Sequence, residues 1–165
     1  MIRSIIWTVV FCTLAAILQS TLISLLPFMR VIPDIALIIL VYSAYVNGTM
    51  TGQVSGFFSG LFLDFLSAAP LGMNSLVRTL IGALTGIFKG SLFLDGFLMP
   101  VILSVTATLL KAFIIFMLHL IVGASVPTYS LFSSVLWIEL GLNALLSPLL
   151  FFVLKKFKPI LAARR

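Results

Sequence analysis

The sequence predicts an all-α integral membrane protein, a bundle of six membrane-spanning helices, and three observations predict it. Of the 165 residues, 62% are hydrophobic and 8% charged, whereas a soluble domain carries about 25% charged residues. Uncharged stretches run from Ser4 to Met29, Ile35 to Leu63 and Ala112 to Ile138, each longer than the ~20 residues that cross a bilayer core. Turn residues divide these stretches into six segments. The expectation is one polytopic domain over residues 1–165, with no room for a soluble one.

The first span covers about Ser4 to Leu26 and ends at Pro27 and the Arg30 to Asp34 loop, which contains Pro33. Arg3 before an apolar run has the look of a signal peptide. Its 26 uncharged residues, however, exceed the roughly 7–15 of such a region, and the segment is read as a retained helix. The second span, about Asp34 to Val46, closes at Asn47-Gly48. The third (Thr49 to Leu66) and fourth (Asn74 to Phe88) are joined through Ser67 to Gly72. The fifth runs from Phe97 to Val122 and the sixth from Leu131 to Leu154, separated by a Gly123 to Ser130 loop holding Pro127. Spans two and four are short for a bilayer, so tilted or broken segments, and readings with four or five helices, stay open.

Charge sets orientation. Lys and Arg total 10 against 4 Asp and Glu, a net +6, and five of the ten basic residues lie in a tail at 155–165. The excess is therefore terminal and excludes a nucleic-acid-binding face. With six spans and a cytoplasmic N-terminus, the inner side receives Arg3, Lys89, Lys155, Lys156, Lys158, Arg164 and Arg165, the outer side only Arg30. Seven against one is a strong positive-inside pattern, which puts both termini in the cytoplasm. Cys12, the single cysteine, sits within the first span, without a partner for a disulfide or a cluster for a metal.

The clearest internal pattern is a glycine ladder. Gly48, Gly52, Gly56 and Gly60 recur every four residues in span three, and Gly82, Gly86 and Gly90 do so in span four. Such bare stripes let another backbone approach closely, either a neighbouring helix of the bundle or a partner's helix. Charges inside spans are costly and seldom face lipid. Asp64 near the outer end of span three and Arg78 about one turn into span four are expected to pair, as are Lys111 in span five and Glu139 in span six. His119 lies two turns outward of Lys111, but one Lys, one Glu and one His make a poor proton relay. No paired-carboxylate, Cys-His, phosphate-loop or metal-spaced constellation is present, so neither enzyme chemistry nor a cofactor is expected.

Pro33-Asp34 opens span two. Gly52, Gly56-Phe57, Gly60 and Asp64 follow at fixed spacing, and after five intervening residues comes Pro70-Leu71-Gly72. In a chain of this length with a basic C-terminal tail, this order resembles MreD, the integral-membrane member of the bacterial rod shape-determining system. The resemblance implies a non-enzymatic scaffold in the inner membrane. It would associate with the bitopic protein MreC and, through it, with MreB, RodA and a class B penicillin-binding protein. It also implies a six-helix fold similar to the substrate-binding subunits of energy-coupling-factor transporters, which supplies the alternative reading, a vitamin-binding subunit. The vitamin site would need convergent polar groups at an outward cavity, and the outward loops offer chiefly Asn74, Thr128 and Tyr129. The expected interface is a groove beside the glycine-bearing spans three and four, its outer end shaped by Asp64, Arg78 and the Pro70-Leu71-Gly72 turn.

The basic-residue asymmetry makes a topology prediction. Reporters fused after Arg165 and within the Asn47 to Thr51 turn are expected to be active only in the form that works in the cytoplasm. Periplasmic activity after Arg165 would mean an odd number of spans.

Overall fold

The computed structural model describes residues 1–25, 31–67, 69–90, 97–123 and 133–162. The expectations for Arg30, for the Pro127 loop with Thr128 and Tyr129, and for Arg164 and Arg165 lie outside the described residues. The chain forms α1 (Ile2–Leu25), α2 (Ile35–Asn47), α3 (Thr49–Leu66), α4 (Met73–Ile87), α5 (Leu98–Val122), α6 (Ser134–Lys156) and a short α7 (Lys158–Leu161). Among the described residues there is no strand. By length and composition, α1, α5 and α6 can each cross a membrane. The helices α2, α3 and α4 have 13, 18 and 15 residues.

The brevity of α2 is explained by where it lies. An all-round apolar helix belongs inside other helices, and Ala36 to Tyr45 are all buried. It touches α1, α3, α4, α5 and α6, so it is the axis of the bundle. Polar contacts fix its register: the Thr8 and Ser43 hydroxyls bond each other, and Cys12 Sγ donates to the Ala36 carbonyl at 3.5 Å. Gly48, with φ of 99°, ends α2 and starts α3 without a connecting loop, a backbone conformation that glycine adopts freely.

The most extensive pairing in the bundle is α3 against α4, and the glycine ladder makes it. A Cβ built on Gly52 would lie 2.7 Å from the Gly82 carbonyl carbon, and one on Gly56 would lie 2.7 Å from that of Arg78. Gly60 faces Ser75, and Gly86 faces Thr49. Backbone meets backbone at Gly52, Gly56, Gly60, Gly82 and Gly86, so this part of the stripe is consumed within the chain; Gly48 meets only the Lys89 side chain, and a Cβ on Gly90 would meet nothing within 4 Å.

Two further features depart from the simplest expectation. Pro148 lies inside α6, where its missing N–H would orphan the Ala144 carbonyl; the Ser147 hydroxyl donates to that carbonyl at 3.1 Å. The residues after Lys155 also fold back onto the bundle. Leu161 is fully buried, and its carbonyl accepts from Asn47 Nδ2 at 2.9 Å, so α7 plugs the end where α2 meets α3. The outer surface is apolar, with Phe57, Phe65, Leu120, Trp137 and Leu145 exposed, an arrangement suited to lipid rather than water.

Gly56→Ala is expected to destabilise by about 1–3 kcal/mol and Gly56→Leu by more, because the Arg78 backbone must move. Gly141→Ala in α6, where a new Cβ meets nothing within 4 Å, is expected to be neutral or slightly stabilising, since alanine is the better helix former. Thermal unfolding in detergent checks both, and a wild-type melting temperature for Gly56→Leu would contradict the packing.

Candidate functional site

Four charged side chains from four helices converge in the bundle. Asp34 caps α2, its Oδ1 accepting from the Leu37 N–H at 2.9 Å. The same oxygen accepts from Arg78 Nη2 of α4 at 3.0 Å, and Oδ2 accepts from Lys111 Nζ of α5 at 2.8 Å. Lys111 also donates to Glu139 Oε1 of α6 at 2.7 Å. Arg78, Glu139 and Asp34 are 3%, 5% and 8% exposed, and Lys111 is half-buried. Two cations and two anions cancel, so the cluster is neutral and its carboxylates are paired and hydrogen-bonded, the condition under which buried charges persist.

Uncharged groups hold the Asp34 backbone in place. Its N–H donates to Asn143 Oδ1 at 2.8 Å, and Asn143, fully buried, donates from Nδ2 to Thr108 Oγ1 at 3.0 Å. On the other side, Gln19 Nε2 donates to the Pro33 carbonyl at 2.6 Å, and Gln19 Oε1 accepts from the Ala36 N–H at 3.3 Å. Thus α1, α5 and α6 all reach the turn that starts α2. Above the quartet opens a cavity of about 500 Å³, lined by Gln19, Asp34, Arg78, Lys111 and Glu139 with apolar neighbours such as Leu63.

The geometry corrects one expectation: Asp64 and Arg78 do not pair. The Asp64 carboxylate accepts from the N–H groups of Gly72 (3.0 Å), Asn74 (2.9 Å) and Ser75 (3.2 Å), and from Asn74 Nδ2 (2.9 Å). These are the orphan donors at the start of α4, where the helix end is positive and favours an anion. With its lone pairs engaged there, Asp64 has none left for Arg78, which lies about one turn deeper and reaches Asp34. Gly72, at φ of 91°, makes the turn that aims those donors, so Asp64 and Pro70-Leu71-Gly72 form a cap that closes the α3–α4 hairpin. Lys111 and Glu139 do meet, but as half of a quartet and not as an isolated pair.

Sequence reading missed Asp34 as the hub and missed Gln19, Thr108 and Asn143. The available signal was Pro33-Asp34 together with a uniform excess of cations over nearby anions in spans four and five. Among the described residues no group of three or more His, Cys, Asp or Glu is placed to hold a metal, and His119 is not a member of the quartet. Each carboxylate of the quartet is bound to a cation from another helix, an electrostatic clamp.

Comparison with known proteins agrees with the resemblance drawn from the sequence. The family model described as rod shape-determining protein MreD matches residues 1–158. Neither the curated proteins nor the solved structures give a match.

Removing Asp34 leaves two buried cations facing one anion. Asp34→Ala is expected to destabilise by about 3–5 kcal/mol, and adding Arg78→Met to recover part of that loss. Asp64→Ala is expected to cost about 1–2 kcal/mol as a lost cap, and exchanging Asp64 with Arg78 to rescue nothing. Melting temperatures of these variants check the assignment, and rescue by the exchange would restore the discarded pair.

Proposed function

The chain belongs to the MreD family of rod shape-determining proteins, and on that premise we propose that it is a non-enzymatic membrane scaffold of the bacterial wall-elongation complex. In this reading α1 to α6 all span the inner membrane, with both termini in the cytoplasm, as the seven-to-one distribution of basic residues favours. The single observation that carries the reading is the family match over residues 1–158 of 165. The family is one of shape-determining membrane proteins and not of known enzymes. The vitamin-binding alternative gains no support from that match.

The partner proposed is MreC, and through it MreB, RodA and a class B penicillin-binding protein. Because most of the glycine stripe is already filled by α3 against α4, the contact surface moves to the flank of that hairpin. Phe58, Phe62 and Phe65 on α3 are exposed at helical spacing, and Leu76, Leu80 and Leu84 on α4 likewise, with Leu71 of the turn at their outer end. A single membrane-crossing helix packs against such a stripe without demanding movement of a hairpin locked backbone to backbone.

Affinity purification of the full chain in mild detergent is expected to recover MreC. Phe58→Ala combined with Phe62→Ala is expected to reduce that recovery about tenfold or more without changing the melting temperature. Recovery of a transporter ATPase pair instead would overturn the reading, and undiminished recovery with the double variant would move the contact elsewhere.

A further inference from the structure

At the end of the bundle opposite the charge quartet, a second cavity of about 660 Å³ lies between α2, α5 and α6. Its walls include Pro100, Leu145, Leu149 and Phe152, and its polar end carries Lys155 and Lys158. Leu145, Leu149 and Phe152 are also largely exposed on the bundle's outer surface, so the cavity opens sideways toward the bilayer. Tyr42 lines it too. Tyr42 is 2% exposed, and its hydroxyl has no hydrogen-bond partner among the described residues. The ring is held edge-on against Phe151, centroids 5.1 Å apart. A buried donor left unpaired is costly and calls for an acceptor.

An apolar flank, a lone donor and two cations at one end follow the order of parts in one kind of molecule. We propose that this cavity binds one acidic glycerophospholipid, with an acyl chain along Leu145 and Leu149. Its phosphate is held by Lys155 and Lys158, and an ester oxygen accepts from the Tyr42 hydroxyl. The orientation proposed above places the site in the cytoplasmic leaflet, where acidic lipids interact with basic pockets between helices. The leaflet assignment rests on that orientation, whereas binding in detergent does not depend on it, so failure of one is distinguishable from failure of the other.

The test is native mass spectrometry of the full chain in mild detergent, with equimolar phosphatidylglycerol and phosphatidylcholine. One phosphatidylglycerol is expected to be retained in preference. A lysine near an anionic headgroup contributes a preference of about fivefold, so Lys155→Gln with Lys158→Gln is expected to cut the preference at least about tenfold. Arg3→Gln with Lys89→Gln removes the same charge from the same end of the bundle and is expected to leave the preference intact. Tyr42→Phe is expected to weaken phosphatidylglycerol retention a few-fold without lowering the melting temperature in phosphatidylcholine alone. A purely structural tyrosine would give the opposite pattern. Equal retention of the two lipids by the unaltered chain, an equal loss in the Arg3 and Lys89 control, or displacement by glycerol phosphate as effective as by the phospholipid would overturn the proposal.

Discussion

The bundle depends on the carboxylate of Asp34. It caps the central helix α2 and binds cations from α4 and α5, the second of which also binds Glu139 of α6. Three helices are therefore indexed to one side chain, and a fourth through Lys111. In a bilayer the hydrophobic effect gives little preference for one helix pairing over another, because lipid is as apolar as leucine. A buried neutral quartet supplies the specificity that apolar packing lacks. Displacing any one of the four helices would leave a buried charge without its partner.

The α3–α4 hairpin solves the same problem by a different device. Its helices approach until backbone touches backbone at Gly52 against Gly82, and the Asp64 carboxylate ties the end of α3 to the first N–H groups of α4. Close approach fixes the spacing and the cap fixes the length of the turn. Arg78 joins the two devices, since the same α4 backbone that meets Gly56 carries the guanidinium to Asp34. A hairpin closed backbone to backbone with an apolar outer flank suits the scaffold role proposed above.

Much of this was legible in the chain. Uncharged runs and turn residues marked all six long helices. The four-residue recurrence of glycine marked the hairpin interface, although it left open whether the neighbour was this chain or another. Four of the buried groups, Asp64, Arg78, Lys111 and Glu139, stood out because charge inside an apolar run is costly wherever it lies. Their partners did not stand out. Asp34 read as the start of a helix and Asp64 as the acid closest to Arg78, because separation along the chain says nothing of which helix stands beside which.

By itself, the sequence determined that this is a helical membrane protein, the approximate place of its six longer helices but not of α7, and which residues must avoid lipid, because these follow from composition and from periodicity along one chain. Only the tertiary structure decided that the short α2 is the axis, that Asp34 and not Asp64 receives Arg78, and that Gln19 and Asn143 brace it. Those outcomes depend on distances between groups 14 to 109 residues apart in sequence. Such distances are set by the joint packing of all the helices, a property no single segment carries.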